Sequence, residues 1–328
     1  MNIYYFIYFF LIIGVISFSF LFNLIVKARR LGFRLGWLRK TKLPVPVIVV
    51  GNISIGGTGK TPFVLWLADW LKAQGFNPGI VSRGVGAKNR AETEVVTAHS
   101  DPKNVGDEAL LLQESGFPVV IGVKRVKAAQ HLLRDFSCDI LVTDDGLQHY
   151  AIERDLEIGL IDSERQLGNG WLLPAGPLRE SKQRLQKLAL VISKEKNLTA
   201  NAKNQFCLMP IEWVSVRDAT LTKPLNAFAN QRVQAVAGIG NPESFFQQVK
   251  HLSSAVTTTI FPDHYHYQAR DFAACMKDPI VMTAKDAVKC RAFADERFWF
   301  LRVKAQVSAD IEQRLHYLLE QKGIKPNA

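Results

Sequence analysis

Apolar and polar positions along the chain predict one long uncharged helix, followed by strands that alternate with helices. No charged residue lies between positions 4 and 26, and a run of this length suffices to cross a bilayer. From position 45 onward, short β-branched runs alternate with longer segments of helical periodicity. The predicted strands lie at 45–50, 79–82, 94–97, 118–123, 140–142, 156–161, 189–193, 233–237, 279–283 and 298–303. This alternation is typical of α/β proteins.

A dense basic stretch follows the uncharged run, from Lys27 to Lys42. By the positive-inside rule it places the rest of the chain on the cytoplasmic side, behind an N-terminal transmembrane helix. A cleaved signal peptide is the alternative, but no Lys or Arg precedes the run and no small-x-small cleavage site follows it. Because Leu and Trp side chains interleave the basic residues, the stretch is either an amphipathic element at the headgroups or a plain stop-transfer flank.

The strand at 45–50 leads into a glycine-rich loop and an apolar helix, in the sequence VPVIVVGNISIGGTGKTPFVLWLADWL (45–71). A strand, a glycine loop, Lys-Thr and a helix form the phosphate-binding arrangement of P-loop enzymes. Lys60 is predicted to reach the β- and γ-phosphates, and the Thr61 hydroxyl to bind Mg²⁺. Ser54 occupies the first glycine position of the strict motif. An ordinary glycine turn would have no use for Lys60 and Thr61 together.

Three further segments carry acidic residues that are candidates for the site. Asp144 and Asp145 end the strand at 140–142, as in the Walker B motif, whose carboxylate holds Mg²⁺ opposite the P-loop. Asp107 and Glu108 precede a predicted helix, where they are either functional or simply favourable acids at a helix N-terminus. The run FPDHYHY (261–267) contains an Asp-His pair that suits acid/base chemistry or forms a plain turn.

Composition narrows the function classes. A chain of 328 residues with a net charge of +11 suggests two domains and an anionic partner. No nucleic-acid recognition module is present, so an anionic membrane surface or a phosphorylated substrate explains the charge. The four cysteines form no C-x-x-C pair, which favours a reducing compartment. No protein partner is implied.

Several motifs together carry a resemblance to a known family. They are VGNISIGGTGKTP (50–62), SRGVG (82–86), GDE (106–108), TDDGLQHY (143–150), GNGWLLPAGPLRE (168–180), AGIGNP (237–242), the FPDH run and MTAKDAVKCRAFA (282–294). This set resembles the tetraacyldisaccharide 4′-kinases, from the apolar N-terminus almost to the C-terminus. The resemblance implies transfer of the γ-phosphate of ATP, with Mg²⁺, to the 4′-hydroxyl of a lipid A disaccharide 1-phosphate. It also implies a location at the Gram-negative inner membrane, with the catalytic domains on the cytoplasmic face.

The resemblance assigns roles to residues by position. ATP binding falls to Ser54, Ile55, Gly56, Gly57, Thr58, Gly59, Lys60, Thr61 and Gln148. The metal ligands are Thr61, Glu108, Asp144 and Asp145, and the substrate-binding residues are Arg125, His149 and Arg179. Asp107 matches the base for the sugar hydroxyl, His264 its supporting histidine, and Lys60 is the third catalytic residue. Val85 and Ala284 replace the usual tyrosine and glutamate, so the roles of those two side chains are not carried over.

The predicted fold is an α/β P-loop NTPase-like core with a second, smaller α/β domain and an N-terminal transmembrane helix. The predicted segments are a transmembrane helix (1–26), a basic juxtamembrane segment (27–44), a P-loop kinase domain (45–204), linker strands (205–231) and a C-terminal α/β domain (232–328). Two alternative functions remain open: a membrane-attached P-loop ATPase switch without a lipid acceptor, and a non-catalytic nucleotide-gated lipid carrier.

Overall fold

The structure, a computed structural model, describes residues 3–87, 93–273, 275 and 277–326, with the side chains of the first helix described from Ile13 onward. The α-helices are α1 (Ile3–Arg34), α2 (Lys60–Ala73), α3 (Pro102–Val105), α4 (Asp107–Gln113), α5 (Arg125–Asp135), α6 (Pro242–Leu252), α7 (Ala284–Cys290) and α8 (Ala309–Gln321). Short 3₁₀ helices lie at Lys182–Lys187, Leu225–Phe228 and Ala269–Phe272.

The strands follow the predicted alternation with helices. They are β1 (Val47–Gly51), β2 (Pro78–Ser82), β3 (Glu94–Val95), β4 (Val119–Ile121), β5 (Ile140–Thr143), β6 (Leu156–Asp162), β7 (Leu190–Glu195), β8 (Gln205–Ser215), β9 (Thr222–Lys223), β10 (Arg232–Ala237), β11 (Ala255–Ile260), β12 (Ile280–Thr283) and β13 (Phe298–Val307). The α/β class is therefore observed.

One sheet runs through both halves of the described chain, in the order β11-β10-β12-β13-β8-β7-β6-β1-β5-β2-β4-β3, with β9 paired to β8. Within this order, the strands β8, β7, β6, β1, β5, β2 and β4 are parallel to one another, and β11, β10, β12 and β13 form a second parallel set. The antiparallel pair of β8 with β13 joins the two sets. Residues 205–215, predicted as part of a linker, therefore form a long strand at the centre of the sheet. The division of the chain into domains stays a prediction.

Strand register turns the carboxyl edges of the two halves toward each other. The first residues of β8 pair with the last residues of β7, so β8 extends beyond the carboxyl edge of the P-loop half. Strand β13 runs back along β8, and β12 is parallel to β13. The carboxyl end of β12 therefore points back toward that edge, where ligands bind in open α/β sheets.

Alternation along β1 explains the layered core around the P-loop. Ile48 and Val50 face one core cluster with α2 and α8, whereas Val47 and Val49 face the other with α5. All five residues of β1 are buried, as expected for a central parallel strand covered by helices on both faces. The P-loop thus follows directly on a fully buried strand.

The predicted transmembrane helix is wrong. No helix in the described part of the chain combines the length and apolar character that a bilayer crossing requires. Helix α1 also continues through the basic residues to Arg34, and its buried Ser19 hydroxyl donates a hydrogen bond to the carbonyl of Leu172 (2.7 Å). This part of α1 packs against the loop at 168–180.

Candidate functional site

The glycine-rich loop lies between β1 and α2, and of its predicted residues Lys60 and Thr61 are the first two of the helix. Gly59 precedes α2 with a φ of 73°, in the left-handed region that favours glycine. A Cβ there would also come within 3.2 Å of the Phe206 ring. The Asn52 amide donates to the Thr58 hydroxyl (3.2 Å) and ties the loop together. The geometry therefore leaves the start of α2 open to an anion.

A cavity of about 410 Å³ opens beside this loop. Its lining combines Ser54, Ile55, Gly56, Gly57 and Thr58 with Asp162, Arg165, Gln166, Gly168 and Pro177. The last five were not predicted as site residues. Asp162 ends β6, and Arg165 and Gln166 follow it, where no local motif marks them. Gly168 and Pro177 belong to the GNGWLLPAGPLRE motif, which was noted without a role for either residue.

The loop at 168–180 lies directly on the glycine-rich loop. The amide of Ile55 donates to the carbonyl of Pro177 (2.8 Å), and the amide of Arg179 donates to that of Ile53 (2.6 Å). Gln148 connects both segments, because its amide donates to the carbonyl of Asn52 (2.9 Å) and to Glu180 (3.1 Å). Gln148 thus links the residue Asn52, which precedes the glycine-rich loop, to the loop at 168–180.

The two aspartates after β5 lie in different electrostatic environments. Asp144 is 1% exposed, and burial, with Glu108 and Asp145 nearby, raises the pKa of Asp144 to about 7. Asp145 is half-buried, and although burial alone would raise its pKa, Lys60 and Arg179 outweigh this effect and hold the pKa below the ordinary value. The Arg179 guanidinium lies 2.8 Å from Asp145 Oδ2, and Lys60 Nζ lies 3.8 Å from Oδ1. The predicted residues Lys60, Asp145 and Arg179 are therefore brought together.

The oxygen groups at this position fit a Mg²⁺ ion. Asp144 Oδ1 is buried and has no hydrogen-bond partner among the described residues. Within the same residues no three His, Cys, Asp or Glu side chains form a complete metal cluster. Mg²⁺ does not need one, since it binds through one or two carboxylates, phosphate oxygens and water. Asp144 and Asp145, with Glu108 close to Asp144, supply suitable carboxylate oxygens, and the predicted ligand Thr61 is the second residue of α2.

Asp107 is the first residue of α4 and lies opposite the second half of the chain. It is 4% exposed, and its Oδ1 accepts a hydrogen bond from the amide of Glu108 (2.9 Å). Its Oδ2 lies 3.3 Å from Nδ1 of His264, which belongs to the FPDH run. Burial raises the pKa of Asp107, but His264, Lys285 and Lys289 outweigh it and hold this pKa below the ordinary value. Asp107 in turn raises the pKa of His264.

Two predicted substrate residues are less accessible than expected. Arg125 is 3% exposed, and its guanidinium donates to the carbonyls of Gly122 (3.1 Å) and Asp144 (3.3 Å). Burial lowers the pKa of Arg125 to about 10. His149 is half-buried, and burial, followed by the positive charges of Arg125 and Arg154, lowers its pKa to about 4. His149 is therefore neutral at pH 7.

Helix α7 brings three unpredicted residues to the site. Lys285 lies 3.1 Å from Glu108, while Lys289 lies 2.8 Å from the buried carboxylate of Asp286. The sequence interpretation treated TAKDAVK as polar groups at the end of a strand. A helix there places Lys285 and Lys289, four residues apart, on one face. The four-residue spacing of the two lysines was the sequence signal that could have indicated this helix face.

A sequence model of the family described as Tetraacyldisaccharide-1-P 4′-kinase matches residues 12–320. The chain belongs to this family. A tetraacyldisaccharide 4′-kinase of Methylobacillus flagellatus is 47% identical over 300 residues, which cover 91% of this chain and 89% of the relative. One of Coxiella burnetii is 46% identical over 296 residues, which cover 90% of this chain and 87% of the relative. The resemblance inferred from the motifs is confirmed.

A solved structure has the same fold as this member of the tetraacyldisaccharide-1-P 4′-kinase family. It is the crystal structure of an "apo" form of LpxK from Aquifex aeolicus in complex with ATP, at 2.2 Å resolution. The TM-score is 0.77 at 28% sequence identity, covering 94% of this chain and 99% of that one. The match supports the α/β P-loop architecture.

Proposed function

We propose that the chain transfers the γ-phosphate of ATP to the 4′-hydroxyl of a tetraacyldisaccharide 1-phosphate in lipid A biosynthesis. Membership of the tetraacyldisaccharide-1-P 4′-kinase family supports this reaction. The observation that carries the proposal is the buried Asp107 carboxylate, with His264 of the other half 3.3 Å from it. An isolated nucleotide switch has no need of a base held in this way.

Asp107 is proposed as the general base that accepts the proton of the sugar hydroxyl. Its Oδ1 is occupied by the amide of Glu108, which leaves Oδ2 as the oxygen that receives the proton. A base with a low pKa is a weak proton acceptor, so transfer occurs late, as bonding to phosphorus develops. His264 keeps Oδ2 oriented and stabilises its charge until the hydroxyl arrives.

The donor is proposed to bind at the glycine-rich loop. The backbone N–H groups of the glycine-rich loop and of the start of α2 are proposed to face the phosphates, except that of Ile55, which is bonded to Pro177. Lys60 offsets the phosphate charge. Lys60 lies 3.8 Å from Asp145 and is therefore already close to the acidic strand end. Gln148 has no free amide for the nucleotide in this state, since both its donors are used within the protein. We therefore propose that Gln148 acts by shaping the loop.

Thr61, Asp144 and Asp145 are proposed to hold Mg²⁺, with Glu108 as a further oxygen ligand. When bound, the ion would offset the negative charge that develops on the phosphate oxygens during transfer. The raised pKa of Asp144 fits this role, because a buried carboxylate without a cation resists ionisation. Arg179 holds Asp145 in place through both carboxylate oxygens.

Three polar residues are proposed on the acceptor and phosphate side. Arg179 is 28% exposed at the side chain and is the most accessible cation of the three for a phosphate. Arg125 Nε is buried without a hydrogen-bond partner among the described residues, so it retains one donor. The neutral His149 ring is suited to accept or donate a hydrogen bond to a sugar hydroxyl.

An anionic membrane surface, the cytoplasmic face of the Gram-negative inner membrane, is proposed as the place where the acceptor is met. The stretch that begins at Lys27 is basic, and Leu35, Trp37 and Leu38 beside it are exposed at 53%, 77% and 41%. Basic residues attract anionic lipid, and exposed Trp and Leu side chains bury themselves at the headgroup level. Enrichment at that surface raises the effective concentration of a lipid acceptor.

One assay tests the function: γ-labelled ATP, Mg²⁺ and a lipid A disaccharide 1-phosphate, with the purified chain in detergent. We expect label in the lipid product, and a loss of about 10²-fold or more for Asp107→Ala. Leu221→Ala, at an exposed position between β8 and β9, is the matched control for general handling of the protein.

The same assay separates the alternative functions. A P-loop switch would hydrolyse ATP at one rate with and without the lipid, and would place no label in it. A nucleotide-gated carrier would bind the lipid and remain unaffected by Asp107→Ala. Either result would refute the kinase proposal.

A further inference from the structure

The carboxylate of Asp286, near the start of α7, is a fully buried charge surrounded by donors. Its side chain is 0% exposed. Oδ2 accepts hydrogen bonds from the amide of Gly238 (3.1 Å) and the hydroxyl of Thr283 (2.7 Å), and Oδ1 accepts one from the hydroxyl of Tyr267 (3.1 Å). Three segments of the second half therefore fix this carboxylate. A buried charge so completely held has a defined position.

Lys289 connects this fixed carboxylate to the proposed base. Its ammonium lies 2.8 Å from Asp286 Oδ1 and 4.0 Å from Asp107 Oδ2, while its side chain is only 7% exposed. The Tyr267 ring covers it, with the ammonium 5.1 Å from the ring centroid. The lysine thus lies between an anchor in the second half and Asp107 in the P-loop half.

Both facing atoms have unused hydrogen-bonding capacity. Within the described residues, neither Lys289 Nζ nor Asp107 Oδ2 has a hydrogen-bond partner of good geometry, although both atoms are buried. Such atoms are costly unless something completes their bonding. The ion pair with Asp286 fixes the position of the ammonium but leaves N–H groups to spare, because an ammonium has three.

We propose that Lys289, held in place by Asp286, is a positioning residue that orients the reacting oxygen of Asp107 across the contact between α4 and α7. Oδ1 is already fixed by the amide of Glu108, so one further contact suffices to define the carboxylate plane. His264 approaches the same oxygen from the FPDH run, and Lys289 approaches it from α7. The inference rests on the proposed function, since it concerns the base of that reaction.

The other charged groups near Asp107 have different partners. Lys285 pairs with Glu108 at 3.1 Å and lies 3.8 Å from Asp263. Arg291 pairs with Glu114 at the far end of α4. In each of these pairs the cation contacts an acid other than Asp107. Lys285 also lowers the pKa of Asp107, but Lys289 is the α7 cation whose ammonium lies within 4.0 Å of Asp107 itself.

Lys289→Met, which keeps the length of the chain and removes the charge, tests this role. We expect kcat to fall about tenfold or more while KM for ATP changes less than about twofold, because the phosphate loop is untouched. Lys289→Arg should restore most of kcat. Lys250→Met, on the exposed face of α6 and paired only at 4.0 Å with Glu243, is the matched control and should behave as wild type.

A double-variant cycle distinguishes positioning from a merely structural ion pair. In an Asp107→Ala background, Lys289→Met should lower the residual kcat no further, because no base remains to be oriented. A further fall by the same factor would overturn the proposal, as would a fully active Lys289→Met. If that variant does not fold, Asp286→Asn replaces it in the same cycle with the same expectations.

These outcomes are separable from the proposed function. If the wild-type chain places no label in the lipid, the kinase proposal fails whatever Lys289 does. If the wild type is active and Asp107→Ala is impaired, but the Lys289 and Asp107 effects multiply, only the positioning role fails.

Discussion

The contact between Asp107 and His264 gives the sharpest prediction for catalysis. Replacing Asp107 by Asn keeps the size of the side chain and its bond to the amide of Glu108, but removes the proton acceptor. Replacing His264 by Ala removes the group beside Oδ2 and leaves the base itself in place. The two changes should therefore differ in magnitude and should not be independent.

The structure sets the expected sizes. Loss of a general base costs about 10²–10⁴-fold in rate, which corresponds to about 2.7–5.4 kcal/mol of transition-state stabilisation. A hydrogen bond to a charged group contributes about 1.5–3 kcal/mol. The His264 contact belongs at the lower end, because its 3.3 Å separation is long and the His264 side chain is 37% exposed. We therefore expect His264→Ala to lower kcat about tenfold.

The assay is initial-rate transfer of label from γ-labelled ATP to the lipid disaccharide at saturating ATP. In the double variant, His264→Ala should add nothing to Asp107→Asn. His266→Ala is the matched control, because His266 lies two positions further along the same run and is exposed. An Asp107→Asn enzyme within threefold of wild type would refute the assignment of the base. Independent, multiplying effects would refute the dyad.

Two further predictions concern the loop and the acid response of the fold. Gly59→Ala should lower the free energy of unfolding by about 1–2 kcal/mol, because Gly59 has a φ of 73° and a Cβ there would contact Phe206. Gly57→Ala is the control, because no atom lies within 4 Å of a Cβ at that position. It should keep the wild-type unfolding midpoint in urea. His149 has a pKa of about 4 in the folded chain, below its ordinary value of 6.5, so only the unfolded chain binds its proton between these pH values. Stability is then fully present above about pH 6.5 and is lost as the pH falls toward 4. His149→Gln should flatten this part of the melting-temperature profile, and an unchanged slope would contradict the buried, neutral ring.

The P-loop half was largely predictable because its signals are local. The strand, the glycine loop and the Lys-Thr pair lie within one short stretch, and Asp144 and Asp145 directly follow a buried strand. Parallel strand ends meet at one edge of a sheet, so sequence order alone brought these groups together. The proximity of His264 to Asp107 is different, since 157 positions separate them; only the family resemblance supplied it.

The errors also have physical causes. An uncharged run followed by basic residues has the same pattern in a membrane anchor and in a helix that packs on its own protein. The contact of Ser19 with Leu172 distinguishes the two cases, but it joins segments that are far apart in the sequence. Helix α7 was missed because it spans only two turns, from Ala284 to Cys290, directly after a strand. Its N-cap residue is Thr283, whose hydroxyl oxygen accepts a hydrogen bond from the amide of Asp286 and so marks the start of the helix.

The sheet topology brings α4 and α7, which carry opposite charges, into contact. Because β13 runs antiparallel to β8, the carboxyl end of β12 faces the P-loop half, and α7 emerges directly against α4. Helix α4 presents Asp107 and Glu108 at this contact, with Glu114 directly after it. Helix α7 presents Lys285 and Lys289, with Arg291 directly after it. The cations lower the cost of keeping a base and a metal ligand ionised beside each other. They also belong to the other half of the chain, so any separation of α4 from α7 removes them together with His264. The proposed base therefore has these neighbouring groups only while α4 and α7 are in contact.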